Sequence, residues 1–138
     1  MKFYAVYDTN VLVSSLLTQK ENSATALVVD AMLSGEIIPL YNQEILDEYE
    51  EVLRRKKFAF SETNIRKLIK VVRQFGVEVE ASPTGEIFSD MDDLVFYEVM
   101  MEKRKNEAYL ITGNKKHFPY RTYIVTPSEM MDILSGKF

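Results

Sequence analysis

Residues Lys2–Leu17 read KFYAVYDTNVLVSSLL, and the fold turns on how this stretch is read. Phe3 to Tyr7 is an apolar and aromatic run suited to a buried strand, and it stops at Asp8, Thr9 and Asn10 before apolar residues resume at Val11. Polarity arrives where a strand should end. In an open α/β sheet, ligands bind in the crevice beyond the carboxyl ends of the strands, so an acid placed there is a candidate for chemistry. Taken alone, Asp8 or Asn10 suits the cap of the following helix equally well. The rest of the chain has to decide between the two roles.

Downstream, helical and extended patterns alternate. Asn22–Leu33 predicts a helix capped at Asn22 or Ser23 and stopped at Gly35. Ile37–Tyr41 predicts a short strand, in which Pro39 suggests an edge position or a strand end. From Asn42, NQEILDEYEEVLRRKK is the most clearly amphipathic segment, with Ile45, Leu46, Tyr49, Val52 and Leu53 on one face and Lys56 and Lys57 at its end. Glu48 borders that stripe and can reach inward. Ser61–Phe75 predicts a further helix stopped by Gly76, followed by a strand over Val77–Val79 and a loop over Ser82–Ser89.

Asp90 is placed to cap a helix running to about Lys105, within which Asp93 points with the apolar side. Tyr109–Ile111 predicts a strand ending in Thr112, Gly113 and Asn114, which repeats the opening pattern. Tyr123–Val125 predicts a last strand, and Pro127 and Ser128 start a final helix through Leu134. This alternation predicts an α/β/α sandwich with a central, mainly parallel sheet of four or five strands, in one domain over residues 1–138.

Composition removes several function classes. The 138 residues include no cysteine, which excludes thiol catalysis, disulfides and Cys-bound zinc and fits a reducing cytoplasm. No apolar stretch approaches the roughly 20 residues needed to cross a bilayer, so no membrane partner is expected. A formal net charge of −4 argues against a chain coated in nucleic acid, yet allows a local basic groove beside an acidic site. Lys115, Lys116 and His117 form one such cluster directly after the Tyr109–Ile111 strand. His117, the lone histidine, reads as a surface or phosphate-contacting residue.

In a parallel sheet, strand C-termini and the helix N-termini that follow them share one edge. Asp8, the Asp90 to Asp93 cluster and Thr112 to Asn114 are therefore expected on a single rim, with Glu48 the weakest placement because it sits a turn into its helix. Two carboxylates about 5 Å apart repel by roughly 3 kcal/mol at an effective dielectric near 20. Such a group either holds protons with raised pKa values or binds a cation, and hard oxygen ligands suit Mg²⁺ or Mn²⁺. The rim thus favours a metal ligand over a helix cap at Asp8.

At these residues the chain resembles a known family. AVYDTNVLVSSLL, then EILDEYEEVLRRKKF, DMDDLVFYEV, YLITGNKKHFP and IVTPSEMMDIL are similar in order and spacing to the PIN domain, specifically the PilT N-terminus-like group that includes toxins of type II toxin-antitoxin pairs. The resemblance implies a metal-dependent ribonuclease that holds Mg²⁺ or Mn²⁺ through Asp8, Glu48 and Asp93, with Asp90 as an additional acid. Thr112 and Asn114 match the polar end of the later strand, where many members carry a second Asp. Asn114 therefore weakens the case for a tightly held second ion.

These expectations combine into hydrolysis of single-stranded RNA by metal-activated water. Asn10, Thr112 and Asn114 would orient the ligands and water, while Lys115 and Lys116 would contact the RNA backbone. Two rival readings are a PIN-fold RNA- or protein-binding module without activity, and a phosphatase of the haloacid dehalogenase type. The phosphatase would need Asp-x-Asp where this chain has Asp8-Thr9-Asn10. An antitoxin protein and a second copy of the chain are the expected protein partners, and Leu27, Val28, Ala31 and Met32 suit such an interface as well as they suit a core.

Overall fold

The computed structural model describes residues 2–136. In the strand β1 (Phe3–Tyr7), Ala5, Val6 and Tyr7 are all buried. Successive strand residues point to opposite faces, so β1 has to be covered on both sides. It occupies the middle of a five-stranded sheet with β2 (Ile37–Tyr41), β3 (Val77–Glu78), β4 (Tyr109–Ile111) and β5 (Ile124–Val125). The order is β3-β2-β1-β4-β5, and every neighbouring pair is parallel. Six α-helices among the described residues flank it: α1 (Thr9–Leu17), α2 (Ala24–Ser34), α3 (Gln43–Leu53), α4 (Glu62–Phe75), α5 (Leu94–Glu102) and α6 (Pro127–Leu134). The expected α/β architecture is thus present, with the sheet entirely rather than mainly parallel.

Local chemistry explains most boundaries. Ser23, Asn42 and Ser61 each cap a helix by accepting a backbone N–H, from Ala26, Ile45 and Asn64 respectively. Thr126 and Glu129 form a reciprocal capping box at α6, with Pro127 in its first turn. Gly35 ends α2 in the left-handed region, at φ +81°. Gly76 stops α4 differently, because its φ is −96° and its backbone is extended. A Cβ there would lie 2.4 Å from the Val72 carbonyl oxygen and 2.5 Å from that of Pro39, so glycine lets α4 close against β2.

Several expectations need correction. Pro39 does not mark an edge strand, since β2 lies between β1 and β3. Its missing N–H is tolerated because β3 pairs only with Leu40 and Tyr41, leaving no ladder partner on that side. The helix expected from Asp90 to Lys105 is shorter: a 3₁₀ turn over Met91–Asp93 precedes α5, and another over Arg104–Asn106 follows it. Lys56 and Lys57 lie in a separate 3₁₀ turn rather than at the end of α3. On α2, Val28, Ala31 and Met32 belong to the core, whereas Leu27 remains exposed. Burial of that face removes three of the four residues considered for a protein interface.

Candidate active site

In this strand order the chain moves outward from β1 through β2 to β3, then returns to the other side of β1 for β4 and β5. The switch point lies between β1 and β4, where a crevice opens beyond the strand ends. Asp8 follows β1 there and Thr112 follows β4. The Asp8 backbone N–H donates to the Ile111 carbonyl at 2.9 Å, carrying the β1–β4 pairing one residue past the strand. The buried Thr112 hydroxyl then donates to Asp8 Oδ2 at 2.7 Å.

Asp8 occupies the N-cap position of α1, yet its side chain makes no capping hydrogen bond. Its carboxylate is turned into the crevice and only 5 % of the residue is exposed. Burial pushes its pKa up, the Thr112 hydroxyl opposes that shift, and the negative charge of Glu48 reinforces it.

Glu48 reaches the same place from the middle of α3. Thr9, buried beside Asp8, donates its hydroxyl to Glu48 Oε2 at 2.5 Å. That contact shows the acid bordering the helix stripe does turn inward. Burial raises the Glu48 pKa, Thr9 opposes the shift, and Asp92, Asp93 and Asp90 add to it.

Asp93 completes the group from the 3₁₀ turn before α5. Its Oδ2 is buried without a hydrogen-bond partner. His117 Nδ1 approaches it at 3.6 Å, close enough for charge attraction but beyond a hydrogen bond. The Asp93 pKa is pushed up to about 6, first by burial and then by the charges of Asp8 and Asp90. Asp90 itself is exposed and spends Oδ1 on the Asp92 backbone N–H at 2.9 Å, so it contributes mainly as a nearby charge.

The remaining expected residues divide. Asn10 does not face the acids: its side-chain oxygen accepts the Gly113 N–H at 3.2 Å and ties the ends of β1 and β4 together. Asn114 reaches the acids only through His117: its Nδ2 lies 3.0 Å from His117 Nε2, while His117 Nδ1 approaches Asp93. Lys115 is drawn to Glu129 at 3.1 Å, whereas Lys116 is exposed and has no ion pair among the described residues. Sequence reading missed the anchoring of Glu48 by Thr9, the influence of Asp92 on Glu48, and the approach of His117 to Asp93. Only Thr9 carried a usable signal, as a polar residue between Asp8 and Asn10.

Among the described residues, no three His, Asp or Glu side chains converge tightly enough to hold a metal as they stand. Thr112 and Thr9 draw Asp8 and Glu48 onto hydroxyl donors, and the three carboxylates raise one another's pKa values. The set nevertheless fits a hard divalent cation. All its donors are carboxylate oxygens, and the buried Asp93 Oδ2 accepts no hydrogen bond from the protein.

The surroundings are electrically one-sided. A 400 Å³ groove beside Glu48 is lined by Glu44, Asp47, Glu51 and Asp92 together with Met91 and Val95. Lys116 and His117 follow β4, which lies on the other side of β1 from β2, the strand that leads into α3. A polyanion is repelled from the first wall and attracted by the second.

Comparisons with known proteins agree with this architecture. The crystal structure of PAE2754 from Pyrobaculum aerophilum superposes with a TM-score of 0.57 at 12 % identity, covering 98 % of this chain and 90 % of that one, a likeness of fold. No curated protein sequence matches the chain. A family model described as the PIN domain matches residues 4–116, a span containing Asp8, Glu48, Asp93 and Thr112. The strand order, the carboxylates at its switch point and this match together establish that the chain belongs to the PIN-domain family.

Proposed function

We propose that the chain is a metal-dependent endoribonuclease that hydrolyses phosphodiester bonds of single-stranded RNA, and that it serves as the toxin of a type II toxin-antitoxin pair. PIN domains are nuclease-type folds that typically use divalent metals, which sets the class of reaction. The observation that carries the reading for this chain is the buried, unpartnered Oδ2 of Asp93 among carboxylates that raise one another's pKa values. A purely structural acid would be paired, and a polyanion-binding module without a metal gains nothing from it.

Asp8, Glu48 and Asp93, with Asp90 as a further donor, would hold Mg²⁺ or Mn²⁺, which when bound supplies an activated water and positive charge against the scissile phosphate. The chain's own groups prepare that site. Thr112 holds Asp8 and Thr9 holds Glu48 by donating to their ionised forms, which fixes both carboxylates in orientation. Lys116 is free to meet a backbone phosphate, whereas Lys115 would first have to leave Glu129. The phosphatase alternative loses its support, because Asn10 is engaged with Gly113 and supplies no acid.

A toxin needs a surface for its antitoxin. A 530 Å³ groove lined by Leu16, Leu33, Leu68, Val71 and Phe75, with Lys67 and Lys70 beside them, supports that part of the reading or a homodimer in its place.

The deciding experiment is cleavage of a panel of RNAs in Mg²⁺, Mn²⁺ or EDTA by the wild type, Asp8→Asn and Asp93→Asn. Cleavage that requires a metal and falls by about 100-fold or more in both variants supports the proposal. Metal-independent cleavage, or activity that survives both substitutions, overturns it. RNA binding without cleavage in any metal favours the inactive module instead.

A further inference from the structure

The segment after the catalytic rim holds one aromatic ring outside the protein. Phe118 is buried, and its ring meets Phe88 edge-on with centroids 5.8 Å apart. Two residues later Tyr120 is 85 % exposed. Its backbone, by contrast, is tied down: Arg121 Nη1 donates to the Tyr120 carbonyl at 2.8 Å, and Arg121 Nη2 lies 3.7 Å from Glu86. On the segment that the Phe88–Phe118 pair joins to this one, Ile87 is 89 % exposed.

An exposed aromatic on a loose loop means little, but this one stands between Phe118, packed on Phe88, and Arg121, drawn to Glu86, and contributes nothing to the core. A backbone held in advance loses less freedom when something stacks on the ring it carries. Its position is informative as well. His117 lies against Asp93, and three residues of chain span at most about 11 Å, so Tyr120 stands within reach of the carboxylate rim. It also follows the basic Lys115–His117 turn in the chain, whereas Glu44, Asp47, Glu51 and Asp92 line a groove that repels a polyanion.

We propose that Tyr120 is a base-stacking subsite that receives one unpaired RNA base beside the scissile phosphate. The inference rests on the ribonuclease reading for its ligand and extends it to how the strand is seated. Stacking needs a splayed base, which single strands offer and duplexes do not, so the platform selects single-stranded RNA without reading its sequence. Lys116 would hold the adjacent backbone, leaving the ring to set the register of the strand against Asp8, Glu48 and Asp93.

The test uses the absence of tryptophan from the chain. Tyr120→Trp provides a single reporter at the platform, and Leu17→Trp, on an exposed residue at the far end of α1, provides the control. Each is titrated in EDTA with a single-stranded RNA of about 12 nucleotides and with the corresponding duplex. Wild type, Tyr120→Ala and Tyr120→Phe are titrated in parallel, and wild-type cleavage is followed separately in Mg²⁺ and Mn²⁺.

The indole emission of the Tyr120→Trp variant should be quenched saturably by the single strand and not by the duplex, with the Leu17→Trp control unchanged. Tyr120→Ala should bind the single strand about 5- to 150-fold more weakly, the equivalent of one stacked base, while Tyr120→Phe binds as the wild type does. Equal affinity of Tyr120→Ala and wild type, or emission of the Tyr120→Trp variant that stays unchanged at saturation, overturns the subsite and leaves the nuclease reading standing if the wild type cleaves. Quenching without cleavage in either metal supports the subsite and rejects the nuclease. Failure of the wild type to bind single-stranded RNA overturns the subsite outright.

Discussion

The buried Oδ2 of Asp93 has no hydrogen-bond partner, and burial with the neighbouring acids pushes its carboxyl up to about 6, so ionising it at neutral pH works against the folded state. In the unfolded chain the same group titrates near 3.8. Between those values the folded protein holds a proton that the unfolded chain has released. Its contribution to stability is therefore full below pH 4 and lost as the pH rises through about 6, with Asp8 and Glu48 acting in the same direction. In metal-free protein, Asp93→Asn should raise the melting temperature by roughly 2–6 °C at pH 7 and by progressively less as the pH falls below about 6. Calorimetry at three pH values checks this, and an unchanged or lowered melting temperature at pH 7 would show that the carboxylate is not under repulsion. The two lysines differ on the same scale. Lys116→Ala should reduce the salt dependence of single-strand binding by about 0.7 in log–log slope, whereas Lys115→Ala, already paired to Glu129, should change it less.

At the scale of elements, Gly76 joins α4 to β3 by close approach, with two carbonyl oxygens where a Cβ would sit. Gly76→Ala should destabilise the protein by about 1–3 kcal/mol in urea unfolding, although its φ of −96° is ordinary for alanine. A neutral result would mean that α4 and β2 can separate without loss. The sequence alone could not show this, because the obstructing Pro39 carbonyl belongs to a different strand. The same limit separates what was legible from what was not. Asp8 could be read because an apolar run ends on it, whereas helical spacing put Glu48 only on the border of the α3 stripe, and the family resemblance assigned it to the site. The ends of α2 and the start of α4 were legible from their local caps. The threonine anchors were not: Thr9 meets an acid 39 residues away and Thr112 one 104 residues away, and each depends on which strands are neighbours. Asn10 and Asn114 were expected to orient the ligands by their position on the rim; Asn10 binds Gly113, and Asn114 meets the His117 ring that lies beside Asp93.

For the molecule as a whole, the carboxylates make stability depend on what neutralises them. Added Mg²⁺ or Mn²⁺ binds the folded state and should raise the melting temperature as the logarithm of its concentration, more strongly at pH 7.5 than at pH 5.5, where protons compete for Asp93. A shift that is independent of pH, or one that persists in the Asp8→Asn, Asp93→Asn double variant, would place the ion elsewhere. Tyr49 supports the same centre from below, donating its hydroxyl to the Tyr7 carbonyl at 2.5 Å in the buried core. Tyr49→Phe should therefore cost about 1–3 kcal/mol in urea unfolding without touching the rim itself.

The central position of β1 also has a consequence in time. The partner that completes its functional edge, β4 with Thr112, is synthesised roughly a hundred residues after it. At about 5–20 residues per second, that interval lasts some 5 to 20 seconds. Throughout it, Asp8 has no Thr112 to hold it, and the segment carrying His117, Lys116 and Tyr120 does not yet exist. The carboxylate centre of a nascent chain is thus incomplete until the fourth strand docks.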